Sequence, residues 1–240
     1  MKKENYKPYM IFVRRLGERI IKVVCGFLFF GVIIAMNFAE NFSQAVSGDD
    51  EIIVVVDAGH GGNDPGKVSS MGVYEKDINL SIAIKLKNEL EKMGIKVVLT
   101  RNHDTNLATL GATNKKSSDM KNRVELINST KANCVISIHQ NSYTDSGVKG
   151  AQVFYFGSSK ESKELAELLQ ANIVSDVDEN NTRSAKEGND YYILRKSVCP
   201  GVIIECGFLS CPEETAKLVD EKYQEKLAVV IAKTIAEYYK

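Results

Sequence analysis

Five branched aliphatic residues in a row, Ile52-Ile53-Val54-Val55-Val56, run straight into Asp57-Ala58-Gly59-His60-Gly61-Gly62. A strand half-exposed to water alternates apolar and polar residues; this one does not, so it belongs in a sheet buried on both faces. Val135–His139 and Val202–Glu205 have the same character, and Ile95–Thr100 and Ala151–Phe156 are further strand candidates. Between them the apolar period changes to that of helices. Ile78, Ile82, Leu86, Leu90 and Met93 lie on one helical face, closed by Gly94. Asp119 can cap a helix carrying Met120, Val124 and Ile127, and Leu165, Leu168, Leu169 and Ile173 mark another. Pro212-Glu213-Glu214 reads as a helix start, and Leu227, Ile231, Ile235 and Tyr238 as a last amphipathic helix. Residues 102–118 and 175–190 are polar loops, and Tyr191–Leu194 is a short strand or turn. The alternation predicts an α/β fold: a twisted, mostly parallel sheet flanked by helices, with its functional site at the carboxyl ends of the strands.

Lys+Arg and Asp+Glu are both 31, so the chain lacks the basic surplus of a bulk nucleic-acid binder. The departure from an ordinary soluble composition is at the front. Lys2, Lys3, Lys7, Arg14, Arg15, Arg19 and Lys22 precede an uncharged run from Val23 to Ala39. A basic flank before an apolar stretch predicts an export signal or membrane anchor. The run is at the short end of the roughly 17–25 residues that span a bilayer. Residues 1–45 are therefore expected to be signal or anchor plus linker, and 46–240 a single folded domain delivered outside the cytoplasmic membrane. Of the cysteines, Cys134 is expected in the core, and Cys199, Cys206 and Cys211 as free or opportunistically paired thiols.

Polar residues gather where the strands end. His60 closes the first strand, His139 the third and Glu205 the last, while Glu75 opens the first helix. Two imidazoles and a carboxylate at converging strand ends match a catalytic zinc site with one position left for water, and a second carboxylate can serve as its base. Each residue has a plainer reading. His60 fits a glycine-rich turn, with Asp57 placed to orient its ring if it is a ligand. Glu75 is favoured at a helix N-terminus by the dipole alone, and Asn79 shares its face one turn on. His139 shares a strand face with Ser137, an unusual polar pair for packing. Glu205 would be costly after three branched residues unless paired, metal-linked or catalytic, and Arg101 or Arg195 could pair with it. His103 sits in a polar loop and reads as solvated.

Taken together, Val54–Gly62, Tyr74–Leu80, Thr100-Arg101, Arg123 to Asn128, Val135–Ser142, Tyr192–Arg195 and Pro200–Ser210 resemble the zinc-dependent N-acetylmuramoyl-L-alanine amidases, the family often called amidase 3. The likeness runs from about Glu51 to the C-terminus, and the small size and signal-like front are most similar to its germination-specific members in spore formers. The resemblance implies one Zn2+ ion held by His60, Glu75 and His139, with Glu205 as catalytic base. Arg195, Asn79 and Asn141 are candidates for substrate binding. It implies hydrolysis of the amide between N-acetylmuramic acid and L-alanine in peptidoglycan, in the spore cortex on the way to muramic-δ-lactam. Gln140 and Cys206 depart from the family's usual Ala and small residue. With no separate wall-binding domain in view, substrate capture falls to the catalytic domain, the anchor or an accessory or activating protein. Two rival readings stay open at this point: a zinc peptidase cutting within the stem peptide, and a non-catalytic cell-wall-binding protein.

Overall fold

The computed structural model describes residues 51–240; the expected signal or anchor segment lies outside them. Six strands form one sheet: β1 (Ile53–Ala58), β2 (Lys96–Leu99), β3 (Cys134–Asn141), β4 (Gln152–Tyr155), β5 (Lys186–Glu187) and β6 (Gly201–Phe208). Their order across the sheet is β2-β1-β3-β6-β4-β5. β2, β1, β3 and β6 are mutually parallel, β4 runs antiparallel to β6, and β5 is parallel to β4. The helices are α1 (Glu75–Lys92), α2 (Lys115–Thr130), α3 (Lys160–Asp176), α4 (Tyr192–Lys196), α5 (Pro212–Leu218) and α6 (Glu221–Tyr238).

The unbroken apolar runs have the consequence expected of them. Val54, Val56, Ile136, Ile138, Val202 and Ile204 face a core built with Ile82 and Leu86 of α1, Leu165 and Leu169 of α3, and Leu227 and Ile231 of α6. Val55, Val135 and Ile203 point to the other face and pack against Val124 and Ile127 of α2 and Ile193 and Leu194 of α4. Each fully buried aliphatic side chain contributes roughly 1.5–3 kcal/mol, so both layers are needed to hold the central strands in place.

Three local expectations change. α2 starts earlier than Asp119: Asn114 caps it, its side chain accepting from the Ser117 N–H at 2.9 Å. Asn is as good a cap as Asp, and Asp119 is engaged instead by the Arg123 Nε one turn on, at 2.8 Å. Tyr191–Leu194 is neither strand nor turn, because Tyr192–Lys196 forms α4. The 175–190 loop contains β5, a two-residue edge strand. Among the described residues Cys134, Cys199, Cys206 and Cys211 form no disulfide.

Candidate active site

Parallel strands bring their carboxyl ends to one edge. Ala58 pairs with Ile138, and His139 pairs with Glu205, so the ends of β1, β3 and β6 lie side by side. A register irregularity between His139 and Asn141 follows directly, the kind of local twist that re-aims side chains beside functional sites. His60 is the second residue past the end of β1 and takes φ 62, a left-handed conformation uncommon outside glycine. The neighbouring glycine is required for a different reason. A Cβ on Gly59 would run into the His139 ring.

Glu75 opens α1 and is 2 % exposed. Its Oε1 lies 2.9 Å from His139 Nδ1, and its Oε2 lies 3.2 Å from His60 Nε2. The carboxylate also accepts from the Gln140 N–H at 3.1 Å and the Lys67 N–H at 2.8 Å. Burial alone would raise its pKa, but the two imidazoles hold the carboxyl far below the usual carboxylate range. The same contact works in reverse on His139, where burial would favour the neutral ring and Glu75 raises its pKa. The donor atoms of His60, Glu75 and His139 all lie within 4.8 Å of one another.

This set fits a zinc ion. Two imidazoles and one carboxylate with a further position open is the donor chemistry of hydrolytic zinc sites, at about 2.0–2.2 Å from each donor. The ring nitrogen of His60 away from the cluster, Nδ1, is held by Asp64 Oδ2 at 2.9 Å, which fixes the ring and leaves Nε2 toward Glu75. Asp64 therefore has the orienting role expected of Asp57. Asp57 instead accepts from Thr100, Ser137 and Arg123, at 2.6 to 2.7 Å, and makes no hydrogen bond to His60. Asp57 sits on the α2 side of the sheet with Arg123, whereas the His60 ring meets Glu75 at the start of α1.

Glu205 is 7 % exposed, and its Oε2 is a buried oxygen with no hydrogen-bond partner among the described residues. Burial, with Glu75 close by and only partly offset by His139, pushes its carboxyl up to about 7. Neither arginine proposed as its partner pairs with it. Arg101 donates to main-chain carbonyls of Ala58, Gly59, Lys76 and His103, and Arg195 is exposed on α4. Such a group can take a proton near neutral pH and give it back.

Of the remaining candidates, Asn79 is fully buried behind Glu75. It donates to Gly59 O at 3.0 Å and Glu75 Oε1 at 3.3 Å and accepts from Gln140 Nε2 at 3.1 Å. It props the carboxylate and has no atom left for substrate. Asn141 is half-buried at the end of β3, its Oδ1 accepting from the Ser142 N–H. His103 is exposed. Lys67, Asp64 and Arg123 were not legible as site residues. Arg123 is 1 % exposed and donates to Asp57 and to the carbonyls of Ala58 and His60. The signals available were the Asp64-Pro65-Gly66 turn sequence and an arginine on the apolar face of a helix.

The chain is similar in sequence and fold to known cell-wall amidases. The family described as Amidase_3, N-acetylmuramoyl-L-alanine amidase, matches residues 54–237. The germination-specific N-acetylmuramoyl-L-alanine amidase of Bacillus subtilis is 36% identical over 227 residues, covering 91% of this chain and 94% of that relative. Among solved structures, the CwlD amidase from Clostridioides difficile, in complex with the GerS lipoprotein, superposes with a TM-score of 0.76 at 41% identity. It covers 78% of this chain and 98% of its own. The catalytic domain of the amidase CwlV from Bacillus (Paenibacillus) polymyxa gives 0.69 at 35% identity, covering 78% and 97%. The chain belongs to the Amidase_3 family of N-acetylmuramoyl-L-alanine amidases.

Proposed function

We propose that this amidase is a one-zinc enzyme in which His60, Glu75 and His139 hold the ion and Glu205 is the catalytic base. The observation that carries the reading is the Glu205 Oε2, buried without a partner beside a His–Glu–His cluster whose donors converge within 4.8 Å. A bound zinc would supply Lewis-acid polarisation of the scissile carbonyl and a lowered pKa for water. The chain's own groups do the rest. Glu205 removes a proton from the attacking water and delivers it to the nitrogen of L-alanine as the amide bond breaks. Glu75 would hold the ion as a carboxylate, the form in which a metal ligand binds. Asp64 fixes the His60 ring, and Gln140 and Asn79 fix Glu75.

The substrate proposed is the bond between N-acetylmuramic acid and L-alanine, with cortex peptidoglycan as its source and muramic-δ-lactam formation as the outcome, as the likeness to a germination-specific relative supports. Residues 46–240 are the proposed catalytic domain, exported behind residues 1–45. An accessory protein is part of the proposal, since the similar CwlD amidase was solved with a lipoprotein bound. Family membership favours the amidase over a stem-peptide peptidase or a non-catalytic wall binder.

The test is digestion of purified peptidoglycan by the full chain with zinc, followed by mass analysis. Intact stem peptides with a free L-alanine amine are expected; cuts inside the peptide would refute the assignment. Cortex from a deletion strain should lack muramic-δ-lactam, and normal lactam content would remove the cortex role.

A further inference from the structure

Two arginines are buried beside the site, and only one is explained by charge pairing. Arg123 pairs with Asp57 at 2.7 Å and Asp119 at 2.8 Å. Arg101 is 3 % exposed, and all of its hydrogen bonds among the described residues go to main-chain carbonyls. Its Nε donates to Ala58 O at 2.9 Å and its Nη1 to His103 O at 3.3 Å. Its Nη2 donates both to Gly59 O at 3.0 Å and to Lys76 O at 2.7 Å. Gly59 is the residue before His60, and Lys76 the residue after Glu75.

We infer that Arg101 is a positioning residue that sets the spacing between the His60 and Glu75 segments, by bridging the backbones of both with one nitrogen. A buried guanidinium without a carboxylate is a poor stabilising device. Burial and the nearby Arg123 work against its charge and outweigh Asp57, Asp104 and Asp77, so its pKa is lowered. Its placement makes sense as geometry. The fork is planar and pre-organised, so it fixes the distance between two carbonyls more rigidly than a lysine ammonium can. Arg123 grips the same loop from the far side, at Ala58 O and His60 O. Only Arg101 also reaches α1. The inference rests on the metal reading above for its consequence, and its structural part can be measured without metal.

Two variants, Arg101→Met and Arg101→Lys, test it. In metal-free protein, amide hydrogen exchange should accelerate together at Gly59 and Gly61 and at Glu75 and Lys76, whose N–H groups are all bonded in this structure. Arg101→Lys should show a smaller effect at the same positions. Zinc affinity, read by competition with a chelator, should fall about 10- to 100-fold in Arg101→Met, as for other supports of metal ligands, and less in Arg101→Lys. Excess zinc should restore kcat with KM unchanged. A residue that served only stability would lower the melting temperature and leave zinc affinity alone. Folded variants with wild-type exchange in both segments would overturn the inference. If Arg101→Met fails to fold, Arg101→Lys decides, and wild-type exchange and zinc affinity in it would overturn the inference. If exchange rises in both segments while wild-type protein takes up no zinc, the tie between the segments stands and the metal reading fails instead.

Discussion

Glu205 and His139 are register partners on adjacent parallel strands, so a carboxylate with one bare buried oxygen sits beside an imidazole of the proposed zinc site. Strand pairing, not loop conformation, sets that distance. Sites carried on paired strands are held more precisely than sites on loops.

Replacing Glu205 by Gln keeps the shape and removes the base. We expect kcat to fall by about 10²–10⁴ while one zinc per chain remains, measured by turnover on peptidoglycan and by metal analysis. Normal turnover would end the base assignment.

The same variant has a pH signature in metal-free protein. The Glu205 carboxyl is raised to about 7 by burial, against about 4.3 for an unfolded Glu. A raised carboxyl means the folded state holds its proton more tightly, so ionisation penalises folding as pH rises above about 4.3 and fully so beyond about 7. Glu205→Gln should therefore match wild type near pH 4 and exceed it by about 3–4 kcal/mol at pH 8. Denaturant melts at the two pH values check this, and a pH-independent difference would contradict it.

Asp57 behaves in the opposite sense. Burial would raise its pKa, but Arg123 and the Ser137 and Thr100 hydroxyls outweigh that and hold it at about 2. A lowered carboxyl stabilises the fold above its unfolded value of about 3.9, and the contribution of roughly 2–3 kcal/mol is lost as pH falls through about 2. Asp57→Asn leaves the Arg123 charge buried and should cost about 3–5 kcal/mol at pH 7. The gap between variant and wild type should narrow toward pH 2, as thermal melts across that range would reveal.

Asp64 holds His60 Nδ1 at 2.9 Å. Asp64→Ala should weaken zinc binding about 10- to 100-fold, with Asp64→Asn intermediate because its amide oxygen can still accept. Chelator competition gives the number; an unchanged affinity would show that the ring is fixed by other means.

Gly59→Ala tests packing rather than chemistry. The added methyl meets the His139 ring, so ring or strand must shift. A cost of about 1–3 kcal/mol is expected, with zinc binding lost in step. An alanine variant with wild-type metal affinity would mean the ring has room that the packing does not show.

Periodicity and residue type made the layers legible. β-branched runs without alternation specify strands covered on both faces, and β1, β3 and β6 emerge together at the sheet centre. Carboxyl ends of parallel strands then bring His60, His139 and Glu205 to one edge whatever the loops do. Local chemistry was less legible where several residues compete for one role. Asp119 and Asn114 are both capable caps for α2; Asn114 takes the role, while Asp119 accepts from Arg123 and from the Leu107 N–H.

The order and type of residues along the chain determined the fold class, the edge carrying the site and the identity of the residues gathered there. Tertiary structure alone decided which neighbours serve them. Asp64 rather than Asp57 steadies His60 because the turn after β1 brings the Asp64 carboxylate to Nδ1, while Asp57 is taken up by Arg123, Ser137 and Thr100. Asn79 became a buried prop rather than a substrate contact because α1 packs it beneath Glu75. Arg101 met both Gly59 and Lys76 through a single nitrogen. Those contacts join segments far apart along the chain, and hydrogen-bond distance is a property of the packed backbone that no local pattern encodes.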